Sequence, residues 1–109
     1  MKKIVLTGAM GRLGSYLREP LTKLADELVS TDLLDGPASL FSGETYVKAD
    51  LSDLDAMVTL LEGADMVVHF GAIGDEAAWD AILQSNIVGA YNIWEAAYQN
   101  KVRRVVVRV

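Results

Sequence analysis

Thr7-Gly8-Ala9-Met10-Gly11-Arg12-Leu13-Gly14 is the stretch that most restricts what this chain can become. It follows Lys3-Ile4-Val5-Leu6, an apolar, β-branched run that reads as a short buried strand. It precedes Leu13–Leu28, where leucines recur at helical spacing. Gly8, Gly11 and Gly14 therefore fall on a strand–turn–helix corner, the context in which a glycine-rich pattern carries weight. A pyrophosphate reaches backbone N–H groups and the positive end of a helix dipole only where no Cβ intervenes. Gly8 suits the tight turn, Gly11 the approach of a phosphate, and Gly14 close packing of helix on strand. The alternative is a glycine-rich turn that packs and binds nothing.

Composition excludes several functions. The 109 residues are enough for one domain spanning residues 1–109, and 51% are hydrophobic, as a buried core requires. A net charge of −5 leaves no basic stripe to neutralise phosphates, so no nucleic-acid partner is expected. Lys101-Val102-Arg103-Arg104 reads as a solvated connection between helix and strand. The absence of cysteine removes disulfide and thiolate chemistry, and one histidine, His69, cannot build a histidine metal site. His69 reads as a core or strand-end residue, since no acid or serine has a spacing that would complete a triad with it. The apolar run after Met1-Lys2-Lys3 is too short for a signal peptide, and no run reaches membrane-spanning length. A cytoplasmic location without a membrane partner is the expectation.

Taken in order, Ile4–Leu6 forms a first, central strand. The following helix begins near Gly11 or Arg12, and Leu13, Leu17, Leu21, Leu24 and Leu28 make its apolar face. Pro20 removes a backbone hydrogen bond, at about 3 kcal/mol if uncompensated, and predicts a bend rather than a break. Glu27–Thr31 is a second strand ending at Asp32, 18 positions after Gly14 and close to the offset of a ribose-binding carboxylate. Such an acid accepts hydrogen bonds from the adenosine hydroxyls and repels a 2′-phosphate, which favours NAD over NADP. The plainer reading is a loop acid at a strand end.

Leu33–Glu44 reads as loop and Thr45–Ala49 as a third strand. Ser52, with Asp55 three positions on, predicts an N-cap for a helix from about Asp53 to Leu61, with Gly63 as its C-cap. Two roles stay open for Asp50: approach to an adenine amino group with Leu51 against the ring, or a strand-end acid with no special task. Asp65–Phe70 is a fourth strand, buried on both faces because it lacks polar alternation, and Gly71-Ala72 follow directly. Gly74–Asn100 contains a long helix in which Tyr91, Trp94 and Tyr98 read as packing or interface residues. Asn86 lies in it, and an asparagine inside a buried helix usually has a hydrogen-bonding task, structural or catalytic. Val102–Val109 is a fifth strand. This alternation predicts an α/β, doubly wound parallel sheet with strand order 3-2-1-4-5.

The chain resembles the extended short-chain dehydrogenase/reductase family, the NAD-dependent epimerases and dehydratases. The likeness rests on Thr7–Gly14 as T-G-A-x-G-x-x-G, on Asp50-Leu51, on His69-Phe70-Gly71-Ala72, and on Asn86-Ile87-Val88-Gly89-Ala90-Tyr91-Asn92-Ile93. Within it, the wording of the first loop and the H-x-G-x-I corner are most similar to uronate dehydrogenases. The resemblance implies that Gly8, Gly11, Arg12, Leu13 and Gly14 hold the pyrophosphate of NAD. It implies Asp32 on the adenine ribose, Asp50 and Leu51 on the adenine, and Gly71, Ala72 and Ile73 along the cofactor groove. Asn86 would support a proton relay.

The family's catalytic Ser/Thr and Tyr-x-x-x-Lys are not found here; Tyr98-Gln99-Asn100-Lys101 has the wrong spacing. The expectation is therefore the N-terminal cofactor half of a larger NAD-dependent oxidoreductase, cut after the fifth strand and inactive alone. A sugar-acid substrate would meet only the longer enzyme. Two alternatives remain: part of a sugar-nucleotide epimerase or dehydratase, and a non-catalytic module that self-associates through the exposed edge of the fifth strand.

Overall fold

The computed structural model describes residues 1–71 and 83–107. Strand β1 (Lys3–Thr7) leads into helix α1 (Arg12–Thr22), then β2 (Glu27–Asp32), β3 (Glu44–Lys48), α2 (Leu54–Leu60) and β4 (Met66–His69). A π-helical turn at Leu83–Val88 runs into α3 (Gly89–Gln99), which leads to β5 (Arg104–Val107). The five strands form one sheet in the order β3-β2-β1-β4-β5, and every pairing is parallel. The anticipated strand order is the observed one. Strand β1 pairs with β2 on one side and β4 on the other, so the winding direction reverses between β1 and β4. In such sheets the crevice for a ligand opens outside the carboxyl ends of the strands at that reversal.

Alternation along the strands divides the core between the two faces. Ile4, Leu6, Leu28, Met66 and Val68 pack with Leu21 of α1. Val5, Val29 and Val67, the residues between, pack with Met57, Leu60 and Leu61 from the α2 region and Ile93, Ala96 and Ala97 of α3. The central strands are thus apolar on both faces, which is why they show no polar period.

The elements depart from expectation at their ends. Helix α1 stops at Thr22, two residues past Pro20, instead of bending and continuing to Leu28. The N–H groups of Lys23 and Leu24 bond three residues back, to the carbonyls of Pro20 and Leu21, both at 3.1 Å. Leu24 is 55% exposed, and Leu28 belongs to β2 opposite Ile4. The helical leucine spacing is coincidental there, because strand pairing claims the residues from Glu27 onward. Helix α2 is capped by Asp53, whose carboxylate accepts from the Ala56 N–H at 3.1 Å, not by Ser52. Ser52 is drawn the other way: its N–H and its hydroxyl both donate to Asp50. The helix has its C-cap at Leu61, and Gly63 follows with φ +73°. Glu44 is the first residue of β3 rather than the last of the loop. Of the long helix expected over residues 74–100, the described part is the π-helical turn and α3. Ala72, Ile73, Trp79, Arg108 and Val109 lie outside the described residues.

Candidate functional site

A cleft of about 300 Å³ opens at the carboxyl ends of β1 to β4. Thr7, Gly8 and Gly11 come from the β1–α1 corner, Thr31 to Leu34 from the end of β2, Ala49 to Leu51 from beyond β3, and Phe70 and Gly71 from the exit of β4. Most of its lining is apolar, with Asp32 and Asp50 its carboxylates.

Bare backbone makes one wall. Gly8 has φ +72°, and a Cβ there would lie 2.5 Å from the Phe70 carbonyl carbon. A Cβ at Gly14 would lie 1.9 Å from the Gly8 carbonyl oxygen, so α1 approaches β1 as only glycine permits. Gly11 is extended and caps α1 with no side-chain hydrogen bond. The first N–H groups of a helix lack intrahelical partners, and those of Arg12, Leu13 and Gly14 stand next to the cleft. A cradle without Cβ atoms beside a helix start with no side-chain cap fits a pyrophosphate.

Asp32 faces this corner. Its Oδ2 accepts from the Met10 N–H at 2.9 Å, and its Oδ1 accepts from the N–H groups of Leu33 at 2.7 Å and Leu34 at 3.3 Å. The carboxylate thus joins the tip of β2 to the glycine corner and is held from both sides. Leu33, Leu34 and Leu51 add apolar surface to the same cleft. The set — carboxylate, bare corner, leucine walls — matches the diol, diphosphate and flat base of a dinucleotide.

Polar side chains outside the lining hold the loop 33–43, whose Leu33 and Leu34 form another wall of the cleft. Arg18 of α1 meets Glu44 of β3 through two bonds, Nε to Oε2 at 2.7 Å and a terminal nitrogen to Oε1 at 2.8 Å. The Ser30 hydroxyl and the Phe41 N–H also donate to this carboxylate. The Glu44 side chain is fully buried. Burial pushes its carboxyl up, but the hydrogen bonds from Arg18, Ser30 and Phe41 outweigh that and hold it below the usual carboxylate range. Arg18 also donates to the Ser39 carbonyl and lies over the Phe41 ring, 5.0 Å from its centre. These residues tie the loop 33–43 to the sheet.

A third set of contacts fixes the β4 exit. The Thr7 hydroxyl accepts from the N–H groups of Phe70 at 3.1 Å and Gly71 at 3.0 Å, and it lies 2.6 Å from Nδ1 of His69. A hydroxyl has one proton and two lone pairs. Both lone pairs are taken, so the proton goes to Nδ1, and His69 is the neutral tautomer protonated on Nε2. Burial likewise lowers the pKa of His69. Asn92 of α3 donates to the Leu51 carbonyl at 2.8 Å and anchors that side of the cleft. The Thr31 hydroxyl, in a residue 2% exposed, has no hydrogen-bond partner among the described residues.

The structure brings Gly8, Gly11, Asp32, Asp50, Leu51 and Gly71 to one cleft. Arg12, Leu13 and Gly14 occupy the first turn of α1 beside it. Ala72 and Ile73 lie outside the described residues, and Asn86 sits partly buried in the π-helical turn. Motif reading missed Thr31, Leu33, Leu34 and Phe70, which also line the cleft. It missed the Arg18–Glu44 pair entirely, because residues 26 positions apart carry no local signal.

The family model described as the NAD dependent epimerase/dehydratase family matches residues 4–108. A uronate dehydrogenase of Agrobacterium fabrum is 42% identical over 106 residues, covering 97% of this chain and 40% of the relative. A uronate dehydrogenase of Pseudomonas putida is 38% identical over 104 residues, covering 95% and 39%. A solved variant of the Agrobacterium tumefaciens uronate dehydrogenase complexed with NAD superposes with a TM-score of 0.90 at 40% identity, over 98% of this chain and 40% of that one. The chain thus spans about two fifths of the length of the curated relatives it matches.

Proposed function

The chain belongs to the NAD dependent epimerase/dehydratase family, and from that premise we propose that it is the NAD-binding part of a uronate dehydrogenase. The observation that carries the reading is the Asp32 carboxylate, bonded to the Met10 N–H within the same cleft as Gly8 and Gly11. The names of the relatives at 38–42% identity support the substrate class.

On this reading the backbone at Gly8, Gly11, Arg12, Leu13 and Gly14 holds the diphosphate, and Asp32 accepts from the adenosine ribose. Asp50 and Leu51 meet the adenine, and Gly71, Ala72 and Ile73 continue the groove toward the nicotinamide. The Asp32 carboxylate disfavours a 2′-phosphate by like-charge repulsion. Bound NAD supplies a hydride acceptor. Asn86 supports the proton relay of the longer enzyme, whose acid/base pair lies outside this chain. The reading takes residues 1–109 as one cytoplasmic domain that binds NAD but does not oxidise a uronate by itself.

Calorimetric titration with NAD tests it. Saturable binding is expected, and Asp32→Ala should weaken it by roughly ten- to a hundredfold, the worth of a charged hydrogen bond. Binding that ignores Asp32→Ala, or no binding, overturns the assignment. NADH formation by this chain from galacturonate or glucuronate would overturn the division of labour.

Self-association through β5 completes the proposal. That strand lies at the edge of the sheet, with Val106 and Val107 42% and 36% exposed. Such an edge is a template for strand pairing. Light scattering should give a mass above the monomer; a dilute monomer at all concentrations would count against it.

A further inference from the structure

Strand β3 presents Glu44, Tyr46 and Lys48 at alternate positions, and so on one face of the sheet. Each grips a different point of the loop 33–43, which has no helix or strand of its own. Glu44 accepts from the Phe41 N–H, and Lys48 pairs with Asp35 at 2.9 Å. Tyr46 reaches the cleft wall itself. Its hydroxyl donates to the Leu34 carbonyl and lies 3.3 Å from the carbonyl oxygen of Asp32. Its ring packs on Gly36, where a Cβ would come within 2.7 Å of it. Burial, then the charges of Asp32 and Asp35, raise the phenol pKa, so Tyr46 keeps the proton it donates.

The consequence falls on the carboxylate. Asp32 Oδ1 is held by the N–H groups of Leu33 and Leu34, and Oδ2 by that of Met10. The first two donors belong to the turn that Tyr46 pins. We propose that Tyr46 is a positioning residue for Asp32: by bonding Leu34, it keeps the turn 32–36 in the form that directs the carboxylate to the glycine corner. Tyr46 touches no ligand in this scheme. The proposal rests on the reading of the cleft as an NAD site.

Tyr46→Phe removes the hydroxyl and keeps the ring. Titrations with NAD and NADP, and amide hydrogen exchange without ligand, read the result. The variant should bind NAD about fivefold more weakly, as the loss of one net hydrogen bond implies. Its preference for NAD over NADP should fall, and the Leu33 and Leu34 amides should exchange faster while that of Val68 does not. Lys48→Ala, which cuts the tie at Asp35 and leaves Tyr46 in place, should keep affinity and preference. A merely structural tyrosine would lower stability without moving the preference or the local exchange, and that outcome overturns the proposal. So does a Lys48→Ala chain that loses preference as much as Tyr46→Phe. Should the unaltered chain bind neither nucleotide, the cofactor reading falls first and the positioning role with it. Unaltered binding of NAD with no response to Tyr46→Phe sinks the positioning role alone.

Discussion

The two walls of the cleft are built by opposite means. At the β1–α1 corner, close approach depends on atoms that are missing: a Cβ at Gly14 would sit 1.9 Å from the Gly8 carbonyl oxygen. Along the loop 33–43, the path depends on atoms that are present: Arg18, Glu44 and Tyr46 hold it by hydrogen bonds to Ser39, Phe41 and Leu34, and Ser30 and Arg18 fix the Glu44 carboxylate. The first wall fails when something is added, the second when something is removed. Asp32 bonds to both, through Met10 on one side and Leu33 and Leu34 on the other. The position of the Asp32 carboxylate therefore depends on two unlike constructions.

Three measurements separate them. The largest effect is expected at Glu44→Ala, which leaves the Arg18 guanidinium buried without its partner. Breaking a buried ion pair at one end costs about 3–5 kcal/mol, read as a fall in the urea midpoint. Replacing both, as Arg18→Met with Glu44→Leu, should recover most of that, because no charge is left stranded. A single variant no worse than about 1 kcal/mol would mean that the second wall does not rest on this pair.

Gly14→Ala comes next. One methyl group against a backbone carbonyl forces α1 off β1, at about 2–3 kcal/mol, near the top of the usual overpacking range. The gain in helix propensity, about 1 kcal/mol, offsets only part. A neutral Gly14→Ala would show that the corner yields, and the contrast between the walls would disappear.

The smallest effect is a difference in pH dependence. Burial holds the folded-state pKa of His69 below 6.5, so the unfolded chain binds its proton first. The contribution is complete above about pH 6.5 and is lost as the pH falls toward the folded value. Glu44 also has a lowered folded pKa, so its contribution is complete above 4.5 and is lost as the pH falls below that. Asp35 and Asp65, also held low, titrate in the same lower window, so each variant must be compared with its parent. His69→Gln should flatten the stability curve just below pH 6.5, and Glu44→Gln only the part below 4.5. Equal changes in both windows from either variant would show that the β4 exit and the loop contacts are not independent.

Much of the first wall was legible in the chain. Thr7–Gly14, Asp32 and the apolar strands are local patterns, each with a local physical cause, and they sufficed for the strand order. The cap at Asp53 and the end of α1 differ from expectation because neighbouring residues offer equally good local signals. Ser52 and Asp53 can both cap a helix, and Leu24 and Leu28 extend a helical spacing that strand pairing overrides. The second wall left no such trace. Arg18 carries no local signal, and Glu44 reads as the end of a loop, until the fold brings them together.

By itself, the order of residues determined the elements, their parallel winding and the bare corner. These follow from hydrophobic period and from where a Cβ is tolerated, and both are properties of short stretches. Only the tertiary structure decided how Asp32 is aimed, which tautomer His69 adopts and what holds the loop beside the cleft. Each of those is a count of donors and acceptors among residues distant in the chain, and that count has no meaning until they are neighbours.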